Sequence, residues 1–237
     1  MLLLAVDTAS RTGGLAVLKD GRSLGEISTA SEETYSSRLF RHLDFLLCEL
    51  KLETRDFDVF AVNAGPGSFT GLRVGLTAVK AWAEVFGKPV VAVSGLEAVA
   101  AQASGASQDA LIASVVDAHR GQIYAGLYKP CDSRLVRQEP EQVCTVEEFL
   151  GRLTERAAKQ RVRFISTSPE VLKPALDRWS AASASISREI EPASTMLAPI
   201  IGKLALDRAA RGEFTDSLRL DANYVRRSDA ELLWKEP

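Results

Sequence analysis

The sequence predicts an α/β protein built from two copies of one structural unit. Short apolar segments alternate along the 237 residues with segments of helical period. The order strand–strand–strand–helix–strand–helix in the first half returns in the second half. Each half also opens with an apolar strand that ends in aspartate and enters a tight turn, in the stretches "AVDTASRTGG" and "VVDAHRGQ". Together these observations predict a duplicated fold.

In the first half, a buried strand, a hairpin and an amphipathic helix come first. The stretch "LLLAV" is uniformly apolar, and Asp20-Gly21 is a strong two-residue hairpin signal. The helix that follows places Leu39, Leu43 and Leu46 on one face. The predicted elements in chain order are strands at 2–6, 14–19 and 22–28, a helix at 34–50, a strand at 58–63, a helix that ends near 86 and a strand at 90–93.

In the second half, a capping box marks the start of one helix. Thr145 and Glu148 have the spacing in which each side chain caps the other residue's backbone N–H. The predicted elements are strands at 111–116, 123–128 and 134–138, a helix to about 158, a strand at 161–165, and helices at 170–179 and 195–211. We therefore divide the chain into a first unit at 1–104, a second unit at 105–192 and a C-terminal segment at 193–237 that is expected to pack on the first unit.

Composition and charge exclude several classes of protein. The formal net charge is −2, with 29 Lys and Arg against 31 Asp and Glu. A protein that binds nucleic acid alone needs a concentrated basic face, so we expect contact with RNA only within a complex. The chain lacks a run of about 18 apolar residues and a basic leader, so we expect no membrane contact. Three scattered cysteines are typical of reduced thiols in the cytoplasm.

The paired strand–aspartate–turn–strand units resemble the actin, Hsp70 and sugar-kinase fold, a ribonuclease H-like fold of two facing lobes with ATP between them. The resemblance implies that Asp7 and Asp117, with Thr8 and Arg120 beside them, occupy nucleotide-cleft positions. Turn N–H groups can bind anionic oxygens while a carboxylate holds a metal ion or a water. The pattern is equally typical of an Asx turn, in which each aspartate binds its own backbone two residues further on.

A glycine-rich stretch, "NAGPGSFTGLRVG", joins a predicted strand to a predicted helix. It lacks the Lys-Ser/Thr ending of a P-loop and does not match G-x-G-x-x-G. Pro66 is expected to stiffen the turn, and Gly65 and Gly67 to supply positive φ angles. Ser68 or Thr70 is positioned to cap the helix. The stretch therefore predicts a tight turn rather than a phosphate cradle.

Small residues follow at helical spacing in the same helix. Gly71, Gly75 and Ala78 share one face, and Ala81 or Trp82 comes next on it. Glycine within a helix costs about 1 kcal/mol relative to alanine, so a close packing contact is expected there. The contact can be with another segment of this chain or with a helix of a partner. The spacing alone leaves both open.

Several stretches are very similar to the TsaB (YeaZ-like) family of bacterial proteins. They are the glycine-rich stretch, "LLAVDTASRTGGLAVLKDG" at the start, "VDAHRGQIYAGLY" in the second half and "NYVRRSDAE" near the end. The resemblance implies a non-catalytic member of the machinery that makes threonylcarbamoyladenosine at position 37 of tRNA. The implied partners are a TsaD-like enzyme and a TsaE-like ATPase, with a homodimer when the chain is alone. No cofactor is implied for this chain by itself, and ATP is possible at an interface of the complex.

The active relative, TsaD, holds a metal ion with a His-x-x-x-His helix, which gives a test inside this sequence. The two histidines would fall at Gly95 and Val99, neither of which can bind a metal. The stretch "RFISTSPEVL" also lacks the glycine-rich turn that active members of the superfamily use for adenosine. We therefore expect no metal site and no tight ATP binding by this chain alone. The alternatives are a residual ATPase or kinase that uses Asp7 and Asp117, and a metalloprotease-like hydrolase.

The expected partner surface lies on two helices of the first unit. Helix 34–50 and the helix after the glycine-rich turn supply it, and its predicted residues are Leu39, Leu43, Leu46, Gly71, Arg73, Gly75, Ala78 and Trp82. The basic stretch "YVRR", with Arg219 nearby, predicts either a tail along the first unit or a contact with a partner or with tRNA.

Overall fold

The computed structural model describes residues 1–104, 110–132, 134–157, 161–178 and 186–226, with the side chains of 155–157 and 186–188 left aside. The chain divides into two compact units. One comprises Met1–Gly95 together with the described residues from Thr195 onward, and the other comprises Leu96–Ser194.

The first unit contains a five-stranded sheet. Its elements are β1 (Leu2–Asp7), β2 (Gly14–Lys19), β3 (Arg22–Ser28), α1 (Tyr35–Leu50), a short 3-10 turn (Thr54–Asp56), β4 (Val59–Asn63), α2 (Phe69–Phe86), β5 (Val90–Val93) and the first residue of α3 (Gly95–Ala100). The strand order is β3-β2-β1-β4-β5. The first three strands are antiparallel neighbours, while β4 and β5 run parallel to β1. The long crossovers to β4 and β5 are the helices α1 and α2.

The second unit repeats this arrangement. Its elements are β6 (Ala110–Asp117), β7 (Ile123–Cys131), β8 (Arg134–Arg137), β9 (Gln142–Cys144), α4 (Val146–Ala157), β10 (Arg161–Ser166), α5 (Pro169–Arg178) and β11 (Ile186–Pro192). The strand order β11-β10-β6-β7-β8 is the order of the first sheet read backwards, with β9 added on β7. The predicted duplicated α/β fold of the actin, Hsp70 and sugar-kinase type is therefore confirmed.

The two strands that the sequence did not predict are β9 and β11. Only three residues form β9, which is too short for an alternating pattern to be visible. Glu189 and Glu191 interrupt β11, which lies at the edge of its sheet and pairs only with β10 among the described strands. Because edge strands are solvated on one side, they carry charged residues and give a weak apolar signal.

Both faces of the first sheet are covered. Leu4 and Val6 of β1 belong to the core formed with α1 and α2. The other face carries α6 (Ala198–Ala210), which contacts β1 and β2. Gly202 of α6 comes so close to Leu18 that a Cβ there would lie 2.3 Å from the Leu18 side chain. Successive residues of β1 from Leu3 onward are therefore all buried, because helices cover both faces of the strand.

Local signals in the sequence set several element ends as expected. Asp20 and Gly21 have φ angles of 50° and 83°, which give the left-handed pair that a two-residue hairpin needs. The Thr145 hydroxyl accepts a hydrogen bond from the Glu148 N–H at 3.2 Å, and the Glu148 carboxylate accepts one from the Thr145 N–H at 2.9 Å. The predicted hairpin and capping box are thus confirmed.

Candidate partner-binding site

The glycine-rich turn joins β4 to α2 and packs against two other segments. Gly65 has a φ of +113°, as predicted, and a Cβ there would lie 2.9 Å from the Asn223 carbonyl oxygen. The prediction of a positive φ at Gly67 is wrong. Gly67 is needed instead because a Cβ would lie 2.5 Å from the Ala9 carbonyl oxygen. The Ser68 hydroxyl caps α2 by accepting a hydrogen bond from the Gly71 N–H at 3.3 Å.

The small face of α2 docks on the turn that follows β1. A Cβ at Gly71 would lie 2.1 Å from the Thr8 carbonyl oxygen, and a Cβ at Gly75 would lie 2.4 Å from the Thr8 hydroxyl. The Thr8 hydroxyl donates a hydrogen bond to the Gly71 carbonyl at 2.7 Å. Ala78 on the same face is 7% exposed. The assignment of Gly71, Gly75 and Ala78 to a partner surface is therefore corrected, because this face is occupied within the chain.

Asp7 is buried at the end of β1 and tied to the end of β4. Its Oδ1 accepts hydrogen bonds from the Ala9 N–H at 3.0 Å and from the Asn63 side-chain amide at 2.9 Å. Among the residues described, its Oδ2 has no hydrogen-bond partner. Burial raises the pKa of the Asp7 carboxyl, and the hydrogen bonds from Ala9 and Asn63 oppose that rise. The Asn63 Oδ1 in turn accepts from the Gly65 N–H at 2.9 Å, so Asp7 holds the glycine-rich turn in place.

A buried arginine, which sequence reasoning missed, ties the turn after β1 to the segment that follows β3. Arg38 of α1 is 1% exposed and donates to the Arg11 carbonyl at 2.8 Å and to the Thr29 carbonyl at 2.7 Å. Its guanidinium lies 3.9 Å from the ring centroid of Tyr35, which is also buried. Burial raises the pKa of the Tyr35 hydroxyl. A signal was available, because Arg38 falls on the buried stripe of the helix beside Leu39.

The second aspartate turn has a different environment. Asp117 keeps 31% of its side chain exposed, and its Oδ1 accepts from the His119 N–H at 2.7 Å. His119 and Arg120 are exposed and have φ angles of 60° and 58°. Both Asp7 and Asp117 therefore form the Asx turn that the sequence left open, each with the residue two positions on.

Metal ligation of the kind found in the active relative does not fit these residues. Gly95 and Val99 are buried and have no ligating side chain, and a Cβ at Gly95 would already lie 3.0 Å from the Asn63 amide. Within the described ranges, no three His, Cys, Asp or Glu side chains are grouped so that they could hold a metal ion. In the same part of the chain, no helix has the length and apolar character needed to cross a membrane.

The outer side of α1 and α2 exposes apolar side chains. Phe40 is 52% exposed and Val85 is 74% exposed. The Phe40 ring meets Trp82 edge-to-face at 6.4 Å, and Trp82 is partly buried and packs on Phe60 of the core at 5.7 Å. We call Phe40, Trp82 and Val85 the outer aromatic face.

Three leucines assigned to the partner surface lie on the opposite side of α1. Leu39, Leu43 and Leu46 are between 0% and 4% exposed and belong to the core of the first unit. Their assignment is corrected, because the apolar stripe of the helix packs on the sheet. Phe40 and Phe45 lie outside this apolar stripe and are exposed, and they are the signal in the sequence from which an exposed surface could have been predicted.

Arg73 lies on the outer side of α2, where the C-terminal segment meets the helix. It is exposed, and its guanidinium stacks 3.8 Å from the centroid of the Phe69 ring. Its Nε donates a hydrogen bond to the Tyr224 hydroxyl at 3.1 Å. The C-terminal segment follows the first unit, with the Asn223 N–H bonded to the Ala64 carbonyl at 2.7 Å. Of the predicted partner residues, Arg73 is exposed and Trp82 is partly buried.

Comparison with known proteins places this fold and these motifs in one family. A family model described as TsaD: tRNA N6-adenosine threonylcarbamoyltransferase matches residues 25–199. The tRNA threonylcarbamoyladenosine biosynthesis protein TsaB of Bacillus subtilis (strain 168) is 31% identical over 238 residues, which cover 100% of this chain and 99% of the relative. The chain belongs to the TsaB family.

Two solved structures share the fold of this TsaB-family chain. YeaZ from Pseudomonas aeruginosa has a TM-score of 0.70 at 24% identity, covering 94% of this chain and 99% of that one. A protein with similarity to peptidase YEAZ, also from Pseudomonas aeruginosa, has a TM-score of 0.72 at 23% identity, covering 95% and 99%. The fold of this chain is therefore that of the YeaZ structures.

Proposed function

We propose that this TsaB-family chain is a non-catalytic subunit in the biosynthesis of tRNA N6-threonylcarbamoyladenosine at position 37. It binds a TsaD-like enzyme through the outer side of α1 and α2. The observation that carries this proposal is the outer aromatic face of Phe40, Trp82 and Val85. Apolar rings that contact each other at a helix surface are typical of protein–protein interfaces.

The interior of the first unit supports a non-catalytic role. A nucleotide or metal at the first aspartate turn would need the Asp7 carboxylate and the Thr8 hydroxyl. Both side chains are buried, and both already make hydrogen bonds that hold the glycine-rich turn and α2. Recruiting them would require α2 to separate from β1, which would expose part of the core of this unit.

The wider assembly follows from the same proposal. A TsaE-like ATPase joins the complex, tRNA is contacted only within it, and ATP enters at an interface of the complex rather than on this chain alone. In the absence of the enzyme the same apolar face pairs two copies of the chain as a homodimer. Because tRNA is the substrate, the complex works in the cytoplasm.

The size of the effect can be worked out from Phe40. With 52% of its side chain exposed, an enzyme that covers it removes about 100 Å² from water and gains about 2 kcal/mol. Phe40→Asp should therefore weaken the heteromer by roughly 30-fold or more. Phe214→Asp is the matched control, because Phe214 is an equally large residue of the same unit that is 47% exposed and lies outside α1 and α2.

The test mixes the purified chain with a purified TsaD-like enzyme and follows mass by light scattering. The wild type and Phe214→Asp should form the same heteromer, and Phe40→Asp should not form it at the same concentrations. Circular dichroism checks that all three proteins are folded. Lack of a heteromer with the wild type, with or without ATP, would remove the proposal. ATP turnover by the chain alone would contradict the non-catalytic role and favour the residual ATPase.

A further inference from the structure

Two segments that are distant in sequence build one exposed cluster at the start of α2. Phe69 and Arg73 come from the helix, and Tyr224 comes from the C-terminal segment, 151 residues after Arg73. The rings of Phe69 and Tyr224 lie 4.8 Å apart with 36° between their planes. The Arg73 guanidinium lies 3.8 Å from the Phe69 centroid and 5.9 Å from the Tyr224 centroid. We call these three residues the arginine cluster.

The backbone that leads to Tyr224 is anchored to the first unit at two points. The Thr215 N–H bonds to the Val90 carbonyl at 2.7 Å, and the Asn223 N–H bonds to the Ala64 carbonyl at 2.7 Å. Between them, Leu220 is 2% exposed and belongs to the core. Tyr224 is therefore held at a fixed position beside Arg73 and does not depend on a loose tail.

The Arg73 guanidinium is held in place by its neighbours, but only part of it makes contacts with them. Its Nε is bonded to Tyr224 and one flat side rests on Phe69. Within the described part of the chain, its two terminal nitrogens make no hydrogen bond or ion pair. An arginine held in this way has lost much of its side-chain freedom before any ligand arrives. It then presents the planar donor pair that fits a carboxylate or phosphate with two parallel hydrogen bonds.

Charge around the cluster favours a carboxylate on a protein over an RNA backbone. The segment from Arg211 to Arg226 carries three arginines and three acidic residues. Such a mixed surface lacks the concentrated positive charge that phosphate neutralisation needs. Arg73 is also exposed on α2, the helix that contributes Trp82 and Val85 to the outer aromatic face.

We propose that Arg73, fixed by Phe69 and Tyr224, is the anchor that receives a carboxylate side chain of the protein partner. This inference rests on the proposed function, because it assumes that the outer side of α2 meets the TsaD-like enzyme. It adds the chemistry of the contact, which is a bidentate ion pair beside the rings of Phe69 and Tyr224. It also gives the C-terminal segment a role, because Tyr224 holds the guanidinium in its binding orientation.

The test measures the dissociation constant of the heteromer with a purified TsaD-like enzyme for conservative variants. Arg73→Lys keeps the charge but loses the planar donor pair, and it should weaken binding by about 10-fold. Tyr224→Phe keeps the ring but removes the hydroxyl that orients Nε, and it should weaken binding by about 3-fold. Arg219→Lys is the matched control, because the Arg219 side chain is 89% exposed and, among the described residues, makes only a 3.6 Å ion pair with Asp216. Its affinity should equal that of the wild type.

The outcomes separate this inference from the proposed function. A wild-type chain that forms no heteromer overturns both. A heteromer that Arg73→Lys and Tyr224→Phe leave unchanged, but that Phe40→Asp abolishes, overturns the arginine anchor and keeps the proposed function. If the Arg73 and Tyr224 variants kept the heteromer affinity but weakened the binding of tRNA to the complex, the carboxylate anchor would also be overturned, because Arg73 would then bind RNA. If both variants lose affinity for the enzyme, and high salt weakens the wild-type heteromer in the same way, the ion pair is supported.

Discussion

Replacing Gly71 with alanine should separate α2 from the turn after β1. The added Cβ would lie 2.1 Å from the Thr8 carbonyl oxygen, an approach that real Cβ atoms do not show. Since the obstacle is backbone, relief requires a shift of the helix or of the turn. That shift also strains the 2.7 Å hydrogen bond from the Thr8 hydroxyl to the Gly71 carbonyl.

Three terms set the magnitude of this effect. Overpacking a close contact costs about 1–3 kcal/mol. Weakening a buried hydrogen bond costs about 1–3 kcal/mol. Alanine gains about 1 kcal/mol over glycine in helix propensity, which opposes the other two. The free energy of unfolding should therefore fall by about 1–5 kcal/mol, which at a slope of about 2 kcal/mol per molar lowers the urea midpoint by roughly 0.5–2.5 M.

Gly151 provides the matched control. It lies within α4 and is exposed, and a Cβ there would meet no atom of the described residues within 4 Å. Gly151→Ala should therefore gain up to about 1 kcal/mol from helix propensity alone. Urea unfolding followed by circular dichroism measures both variants under the same conditions. A Gly71→Ala protein as stable as the Gly151→Ala protein would refute the close docking of α2 on Thr8.

Two further variants test the buried polar groups of the first unit. Burial raises the pKa of the Asp7 carboxyl in the folded protein above its ordinary value of 3.8. The protonated carboxyl therefore contributes to the free energy of unfolding below pH 3.8, and this contribution is lost as the pH rises through the folded pKa. Asp7→Asn should accordingly gain stability relative to the wild type as the pH rises above about 4 in urea titrations, and a relative loss with rising pH would contradict the raised pKa. Arg38→Met leaves the Arg11 and Thr29 carbonyls without their buried donor and should lower the unfolding free energy by about 3 kcal/mol. Arg41→Met, at a side chain that is 64% exposed, should change it by less than about 0.5 kcal/mol, and equal losses for the two variants would show that burial of Arg38 is not the cause.

The sequence determined the elements and their duplication because those signals are local. Alternating and helical periods place β1 to β5, α1 and α2 within a residue or two of the predicted bounds. Asp20-Gly21 and the pair Thr145 and Glu148 act through backbone geometry over two to four residues. The family motifs are equally local, and they were sufficient to identify the TsaB family.

Only the tertiary structure decided whether each candidate site residue lies in the core or on the surface, and which segment it contacts. The spacing of Gly71 and Gly75 predicts that another segment packs closely on this face of α2. That the segment is the turn at Thr8 depends on how β1 and α2 pack together. Arg73 and Tyr224 meet across 151 residues because the C-terminal segment folds back along the first unit. The hydrophobic period of a helix shows that one face is apolar and the other polar. Which segment packs on each face is decided by contacts between residues that are distant in the chain.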